Sequence, residues 1–231
     1  MVKISVIIPA KNEQEYIEDC LKSFSNQTFK DYELIVVDGL SKDMTNKIAK
    51  KYAKIVKQDG VGVSNARNCG ARHAKGKILV FADADVRVGR NFLKRVWEEF
   101  SNPLLGGIVP RINVYDARKK SIKIAYSILE KLISLYIKIG YGSTIGSCFI
   151  FDRKTFFEMG GFDESLLTIE DTDMVKRVSK MKKVKKSDVV VSISARRVNK
   201  QGLFKSFRKS FIAYMLYSLN HTSYPPYWAL D

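Results

Sequence analysis

The chain has 231 residues, three cysteines and a formal net charge of +16, long enough for one domain with a sizeable core and no disulfide or structural-metal staple. Cys20, Cys69 and Cys148 are far apart and lack CxxC or Cys/His spacing, which excludes a disulfide framework or zinc module and predicts reduced, buried thiols. The opening residues run straight into a strand-like segment without the apolar stretch and cleavage site of a signal peptide, so a cytoplasmic location is expected.

In chain order, β-branched runs at Ile4–Ile8, Leu34–Val37 and Ile78–Phe81 alternate with helical patterns at Glu13–Phe24 and Asp43–Tyr52. This is a βαβ series, and its almost continuously apolar strands suit a largely parallel sheet covered on both faces. Such sheets bind ligands beyond the carboxyl ends of their strands. Here those ends carry Pro9-Ala10-Lys11-Asn12-Glu13, Asp38-Gly39 and Asp83-Ala84-Asp85. Beyond Pro103 the pattern changes to isolated strands, Ser147–Phe151 and Val189–Ile193, between long helical stretches. No repeat, low-complexity tract or Pro/Ser-rich linker marks a boundary.

Two of the later helices are unusual. In Ser121–Ile139 the polar positions Lys123, Ser127, Glu130, Lys131, Ser134 and Lys138 form a narrow stripe beside a wide apolar face. The segment is too charged to span a bilayer and has the character of an interfacial helix. Leu203–Leu219 repeats the theme, with Lys205, Arg208 and Lys209 before the apolar run Phe211–Tyr217. An anionic membrane surface, a second subunit of a homodimer and the sheet itself are alternative partners for both. The chain has no acidic residue from Val189 to Leu230, and Lys176–Lys186 is a second basic run; solvated helix ends or loops are the plain alternative for such runs.

Asp83 and Asp85 follow the run Ile78–Phe81, so a strand is expected to deliver both carboxylates to the ligand edge pointing the same way. Two acids there need compensating charge, and Mg²⁺ or Mn²⁺ bridging to a diphosphate supplies it. A solvated turn is the simpler reading of such a pair taken alone.

Further motifs stand in one continuous order: Val6-Ile7-Ile8-Pro9-Ala10-Lys11-Asn12-Glu13; Val36-Val37-Asp38-Gly39 with Ser41, Asp43 and Thr45; Ala66-Arg67-Asn68-Cys69-Gly70 through Ala74-Lys75-Gly76; Gly160-Gly161-Phe162-Asp163-Glu164; and Glu170-Asp171. Together they resemble family 2 glycosyltransferases, with loose matches at Gly39-Leu40 and Lys42. The resemblance implies an α/β GT-A (nucleotide-diphospho-sugar transferase) fold, with a mostly parallel central sheet and helices on both faces. It also implies a UDP- or GDP-sugar donor, Mg²⁺ or Mn²⁺, and inversion at the anomeric carbon. Carried over by position, Pro9, Ala10, Asn12, Glu13 and Asp38 line the donor pocket, with Asp38 accepting from base or ribose. Arg67 lies near the diphosphate, and Asp83, Ala84 and Asp85 form the metal and diphosphate site with Asp83 and Asp85 as ligands. Asp171 is the general base, with Glu170 orienting it or binding acceptor.

Each assignment has a plain alternative: a helix cap for Asp38, the helix dipole for Glu13, a surface ion pair for Arg67, and a first helical turn capped by Thr168 for Glu170 and Asp171. His221 is a candidate additional metal ligand. The expected organisation is one domain over residues 1–231, with a nucleotide-sugar half at 1–102, an acceptor half at 103–202 and a basic, aromatic segment at 203–231. No QxxRW box follows the Glu-Asp pair and no run is long enough to span a membrane, which points away from a processive synthase toward transfer of one sugar to a hydroxyl or phosphate acceptor. Arg196-Arg197 and the basic segment after them suggest a polyprenyl-phosphate or other lipid-linked acceptor met at the cytoplasmic face of a membrane. A nucleotidyltransferase is a competing reading, weakened by the lack of a Gly-rich loop after the first strand. A basic nucleic-acid-binding protein is another, but no such module is recognisable and no nucleic acid is expected.

Overall fold

The computed structural model describes residues 2–139, 144 and 146–220. The elements of the first part are β1 (Ile4–Ala10), α1 (Ile17–Ser25), β2 (Tyr32–Asp38), α2 (Thr45–Ala49), β3 (Lys54–Lys57), α3 (Gly62–His73), β4 (Ile78–Ala82), β5 (Arg87–Val88) and α4 (Phe92–Glu99). They are followed by β6 (Leu105–Val114), α5 (Lys120–Lys138), β7 (Cys148–Asp152), α6 (Arg153–Glu158), α7 (Glu170–Met181), β8 (Lys183–Ile193), α8 (Arg196–Gln201) and α9 (Leu203–Asn220).

One eight-stranded sheet runs in the order β3-β2-β1-β4-β7-β6-β8-β5. It is parallel from β3 to β4, as the βαβ series predicts, and mixed beyond. There β7 runs antiparallel to β4 and β6, β8 runs parallel to β6, and β5 caps the edge antiparallel to β8. Pro9 lies inside β1. The pairing with β4 ends at Ile7↔Phe81, so Pro9 is flanked only by β2, a position that tolerates the missing N–H.

Strand alternation divides the core into two layers. Ile4, Val6 and Ile8 face Ile17, Leu21 and Phe24 of α1, and the same layer takes in Leu93 and Val96 of α4. Ile7 and Val37 face the opposite way, into a layer with Ala66 and Cys69 of α3 and Val175 and Val178 of α7. Gly70 allows α3 to lie on the strands: a Cβ there would meet Ile7 Cγ2 at 2.4 Å and Val37 Cγ2 at 2.9 Å. Phe81, Phe149, Phe151, Phe156 and Phe162 share this second layer, with Phe81 edge-on to Phe162 at 5.0 Å. All three cysteines are buried free thiols.

Strand β6 is not legible in the sequence, because Gly106, Gly107 and Pro110 are strand-breaking residues. The structure accommodates Gly106 and Pro110 at the two register shifts of its pairing with β8, where an irregularity removes the need for a ladder bond. The basic run Lys176–Lys186 ends α7 and opens β8, which buries Val184 and, past a break in the alternation at Lys186, Ser187, and leaves Lys183 and Lys185 exposed. Its Lys186 is not solvated but half-buried, bonded to Glu130 at 2.7 Å. Among the described residues no helix is long and apolar enough to cross a membrane.

Candidate active site

Three described non-glycine residues have left-handed backbones, Asn12 (φ 56), Leu40 (φ 62) and Ile169 (φ 67). Each lies in or beside a segment that carries predicted site residues. Such conformations cost about 1–3 kcal/mol apiece and persist where the surroundings over-determine them; the β-branched Ile169, one residue before Glu170, is the most strained.

The loops after β1 and β2 lock together through polar side chains. The Asn12 N–H donates to Ser41 Oγ at 3.0 Å and the Lys42 N–H donates to Asn12 Oδ1 at 2.9 Å. The Glu13 N–H donates to Thr45 Oγ1 at 2.7 Å. Asp38 ends β2 and is buried; its Oδ1 accepts from the Ser41 N–H at 3.2 Å and its Oδ2 from Asn46 Nδ2 at 3.3 Å. Ala10 ends β1 and accepts from the Gly39 N–H at 2.8 Å. Helix α1 starts at Ile17, four residues later than Glu13, whose carbonyl closes the intervening turn. The Glu13 carboxylate is taken up by Arg196 of α8.

Asp83 and Asp85 lie beyond the last residue of β4, in a turn closed by the Val86 N–H on the Asp83 carbonyl at 3.1 Å. This corrects the expectation that strand alternation aims them alike. Asp83 Oδ1 meets Arg67 Nη2 at 3.0 Å, while Asp85 Oδ2 meets Arg196 Nε at 2.9 Å. Ala84 between them is buried. Burial, then the charge of Asp83, pushes the Asp85 carboxyl up to about 6 against the pull of Arg196.

Arg67 is no surface ion pair: it is 3% exposed. Its guanidinium bonds Glu170 through Nη1 and Asp83 through Nη2, and stacks over Phe149 at 4.8 Å. It thus joins the turn after β4 to the start of α7 through one buried cation. Glu170 and Asp171 open α7, where the cap position is taken by Ile169, not Thr168, and carries no side-chain cap. Asp171 Oδ1 accepts from the Thr172 N–H at 2.7 Å, and Gly146 lies so close that a Cβ there would come within 3.0 Å of Asp171 Oδ2. Burial, then the neighbouring Glu170 charge, raises the Asp171 carboxyl to about 7, with Arg67 opposing. Buried acids beside each other titrate in this way because ionisation in low dielectric without full pairing is costly.

The structure adds residues that the sequence motifs did not assign. Asn68 Nδ2 donates to the Phe162 carbonyl at 2.8 Å and to Glu164 Oε1 at 2.9 Å, and the Phe162 N–H returns a bond to Asn68 Oδ1 at 2.9 Å. Asn65 Nδ2 reaches the other oxygen of Glu164 at 3.0 Å. The Gly-Gly-Phe-Asp-Glu segment is thereby a clamp on α3 that holds Arg67 in place. Arg196 of α8 grips Glu13 with two bonds of 2.6 and 2.8 Å while holding Asp85. No local signal announces that contact, since 183 residues separate Arg196 from Glu13; only its place in an acid-free basic stretch marks it out. His221 lies outside the described residues.

Among the described residues no group of three or more His, Cys, Asp and Glu side chains is placed to hold a metal by itself. The hard oxygens of Asp83 and Asp85 nevertheless fit Mg²⁺ or Mn²⁺. Each carboxylate has one oxygen on an arginine, and a cation that draws most of its ligands from water and substrate phosphates needs only one or two carboxylates.

A half-parallel sheet whose carboxyl rim carries this acid turn is the GT-A architecture of nucleotide-diphospho-sugar transferases. The solved Staphylococcus aureus TarS 1-349 in complex with UDP-GlcNAc superposes with a TM-score of 0.69 at 21% identity, covering 84% of this chain and 59% of that one. The mannosyltransferase PcManGT from Pyrobaculum calidifontis in complex with GDP-Man and Mn²⁺ superposes with a TM-score of 0.70 at 21% identity, covering 89% and 64%. The chain belongs to glycosyl transferase family 2, whose family model matches residues 5–160. It is 35% identical over 102 residues to the uncharacterized glycosyltransferase EpsJ of Bacillus subtilis (strain 168), covering 42% of this chain and 30% of that protein. It is 36% identical over 101 residues to the glycosyltransferase AglE of Haloferax volcanii, covering 40% and 33%. The matched part therefore spans about a third of the length of these relatives.

Proposed function

We propose that the chain is a metal-dependent inverting glycosyltransferase moving one sugar from a UDP- or GDP-sugar to a hydroxyl or phosphate acceptor, lipid-linked in the favoured case. The observation that carries this reading is the buried Arg67 bridge between Asp83 and Glu170, with Asp171 beside it. On this reading the guanidinium ties the diphosphate-side acid Asp83 to Glu170, the neighbour of the acceptor-side base Asp171. Solved structures of this fold in complex with UDP-GlcNAc and with GDP-Man and Mn²⁺ support both donor classes and a divalent ion.

On this reading residues 1–102 hold the donor and 103–202 the acceptor, while 203–231 form a basic, aromatic segment in sequence. Asp38, at the end of β2, accepts from the base or ribose; Pro9, Ala10, Asn12 and Glu13 form the wall of the same pocket. Asp83 and Asp85 would hold a divalent cation, which would supply positive charge to offset that of a leaving diphosphate. Asp171 takes the proton from the acceptor hydroxyl, and a carboxyl raised to about 7 is well matched to that role near neutral pH. Arg67 and Glu170 keep its surroundings fixed while charge moves.

Calorimetric titration of UDP and GDP, each with and without Mn²⁺, into the wild-type chain and Asp85→Ala tests the donor site. Metal-supported binding of one nucleotide that disappears in the variant is the expected result; no binding of either nucleotide overturns the reading. Steep salt-dependent binding of random oligonucleotides in its place would favour the nucleic-acid alternative.

A further inference from the structure

Helices α5 and α9 carry outward faces that the transfer reaction does not use. On α5, Ile124, Ile128, Leu132, Leu135 and the C-cap Ile139 follow at helical spacing and are 59, 56, 47, 55 and 59% exposed. Ile122 and Ile133 of the same helix are buried in the core, so α5 has an inner apolar stripe and a second one facing out. Packing on the sheet explains only the first. On α9, Phe204, Phe211, Met215 and Leu219 are likewise exposed. The two helices meet where Tyr126 lies edge-on to Phe207 at 6.3 Å.

The charge around these stripes has one sign. Lys123, Lys131 and Lys138 of α5 and Lys205 and Arg208 of α9 are exposed, and α9 contains no acid. The acid of α5, Glu130, is turned inward, accepting from Lys186 Nζ at 2.7 Å and the Ile112 N–H at 3.1 Å. Beside α5 a cavity of about 510 Å³ is lined by Arg111, Lys123, Lys131 and Lys186. Its acids, Glu130 and Asp188, are already matched by Lys186 and Arg111, which leaves the positive charge of Lys123 and Lys131 in excess. A second copy seated on this face would bring these like charges together, with Asp188 already paired to Arg111, and the net charge of +16 adds to the repulsion.

We propose that α5 and α9 dock on the surface of an anionic lipid bilayer, lying in its interfacial plane. The exposed isoleucines, leucines and phenylalanines enter the acyl boundary and the lysines and arginines meet lipid phosphates. The geometry ties this surface to the site, because α9 follows α8, whose Arg196 holds Glu13 and Asp85. Docking there brings the reaction to a membrane-borne acceptor, which deepens the acceptor class proposed above and rests on it only for that consequence.

The test is flotation of the full chain with vesicles of equal parts phosphatidylglycerol and phosphatidylcholine, against vesicles of phosphatidylcholine alone. Flotation with the anionic vesicles only, weakened by added salt, is expected. Lys123→Gln and Lys131→Gln should each lower vesicle affinity roughly fivefold. The double variant Ile128→Glu, Leu132→Glu should stay in the soluble fraction with an unchanged circular dichroism spectrum. Absence of flotation at low salt overturns the proposal, as does flotation undiminished in the double variant or a sedimenting dimer that this variant dissociates. UDP and GDP binding measured on the same samples reports the donor site separately, so loss of one reading is distinguishable from loss of the other.

Discussion

Replacing Asp171 with asparagine separates a stability effect from a catalytic one. Burial and the Glu170 charge raise the Asp171 carboxyl to about 7 in the folded chain, against roughly 3.9 unfolded. The folded state therefore binds this proton more tightly than the unfolded state between those values. The corresponding stability is present in full below about pH 4 and is lost as pH rises through about 7. A difference of about three units at ~1.4 kcal/mol each gives an upper figure of about 4 kcal/mol that wild type forgoes above neutrality. Asparagine does not ionise, so Asp171→Asn should gain on wild type as pH rises, levelling off near pH 8. In a domain of this size that gain corresponds to at most roughly 8–16 °C in melting temperature. Sugar transfer should fall by about 10²–10⁴-fold, the usual worth of a general base. Thermal melts of both proteins between about pH 5 and 8, together with a transfer assay, measure both. A stability gap that does not change with pH would refute the raised carboxyl, and undiminished transfer would refute the base.

Arg67→Met removes a buried cation and leaves Glu170 and Asp83 without it; urea unfolding should show a loss of about 3–5 kcal/mol, with part regained in Arg67→Met, Glu170→Gln. Gly70→Ala places a methyl 2.4 Å from Ile7 Cγ2 and should cost about 1–3 kcal/mol by overpacking, again read by urea unfolding. In Arg196→Ala the cation that lowers the Asp85 carboxyl from its raised value is gone, so that carboxyl rises further. The pH of half-maximal Mn²⁺-supported nucleotide binding should then move upward in a calorimetric pH series, and an unmoved profile would count against Arg196 acting on Asp85.

Much of this architecture is local and therefore readable from residue order. The apolar runs of β1, β2 and β4 mark strands that both faces bury, and α5 and α9 fall within a residue of the periodic segments that announce them. Strand β6 escaped because its glycines and proline are tolerated only at irregularities set by its pairing with β8. Motif spacing singled out Arg67, Asp83, Glu170 and Asp171, since those residue types in that order carry the family resemblance.

What only the tertiary structure decided is which charge faces which. A guanidinium reaches about as well toward solvent as toward an acid on another element. The burial of Arg67 between Asp83 and Glu170, and the grip of Arg196 on Glu13 and Asp85, follow from strands and helices remote in the chain being brought to one rim. The sequence by itself determined the parallel half of the sheet and the family motifs with their acids; the packing of α3, α7 and α8 around the β4 turn decided the partners of those acids, because electrostatic neighbours depend on distance in space and not along the chain.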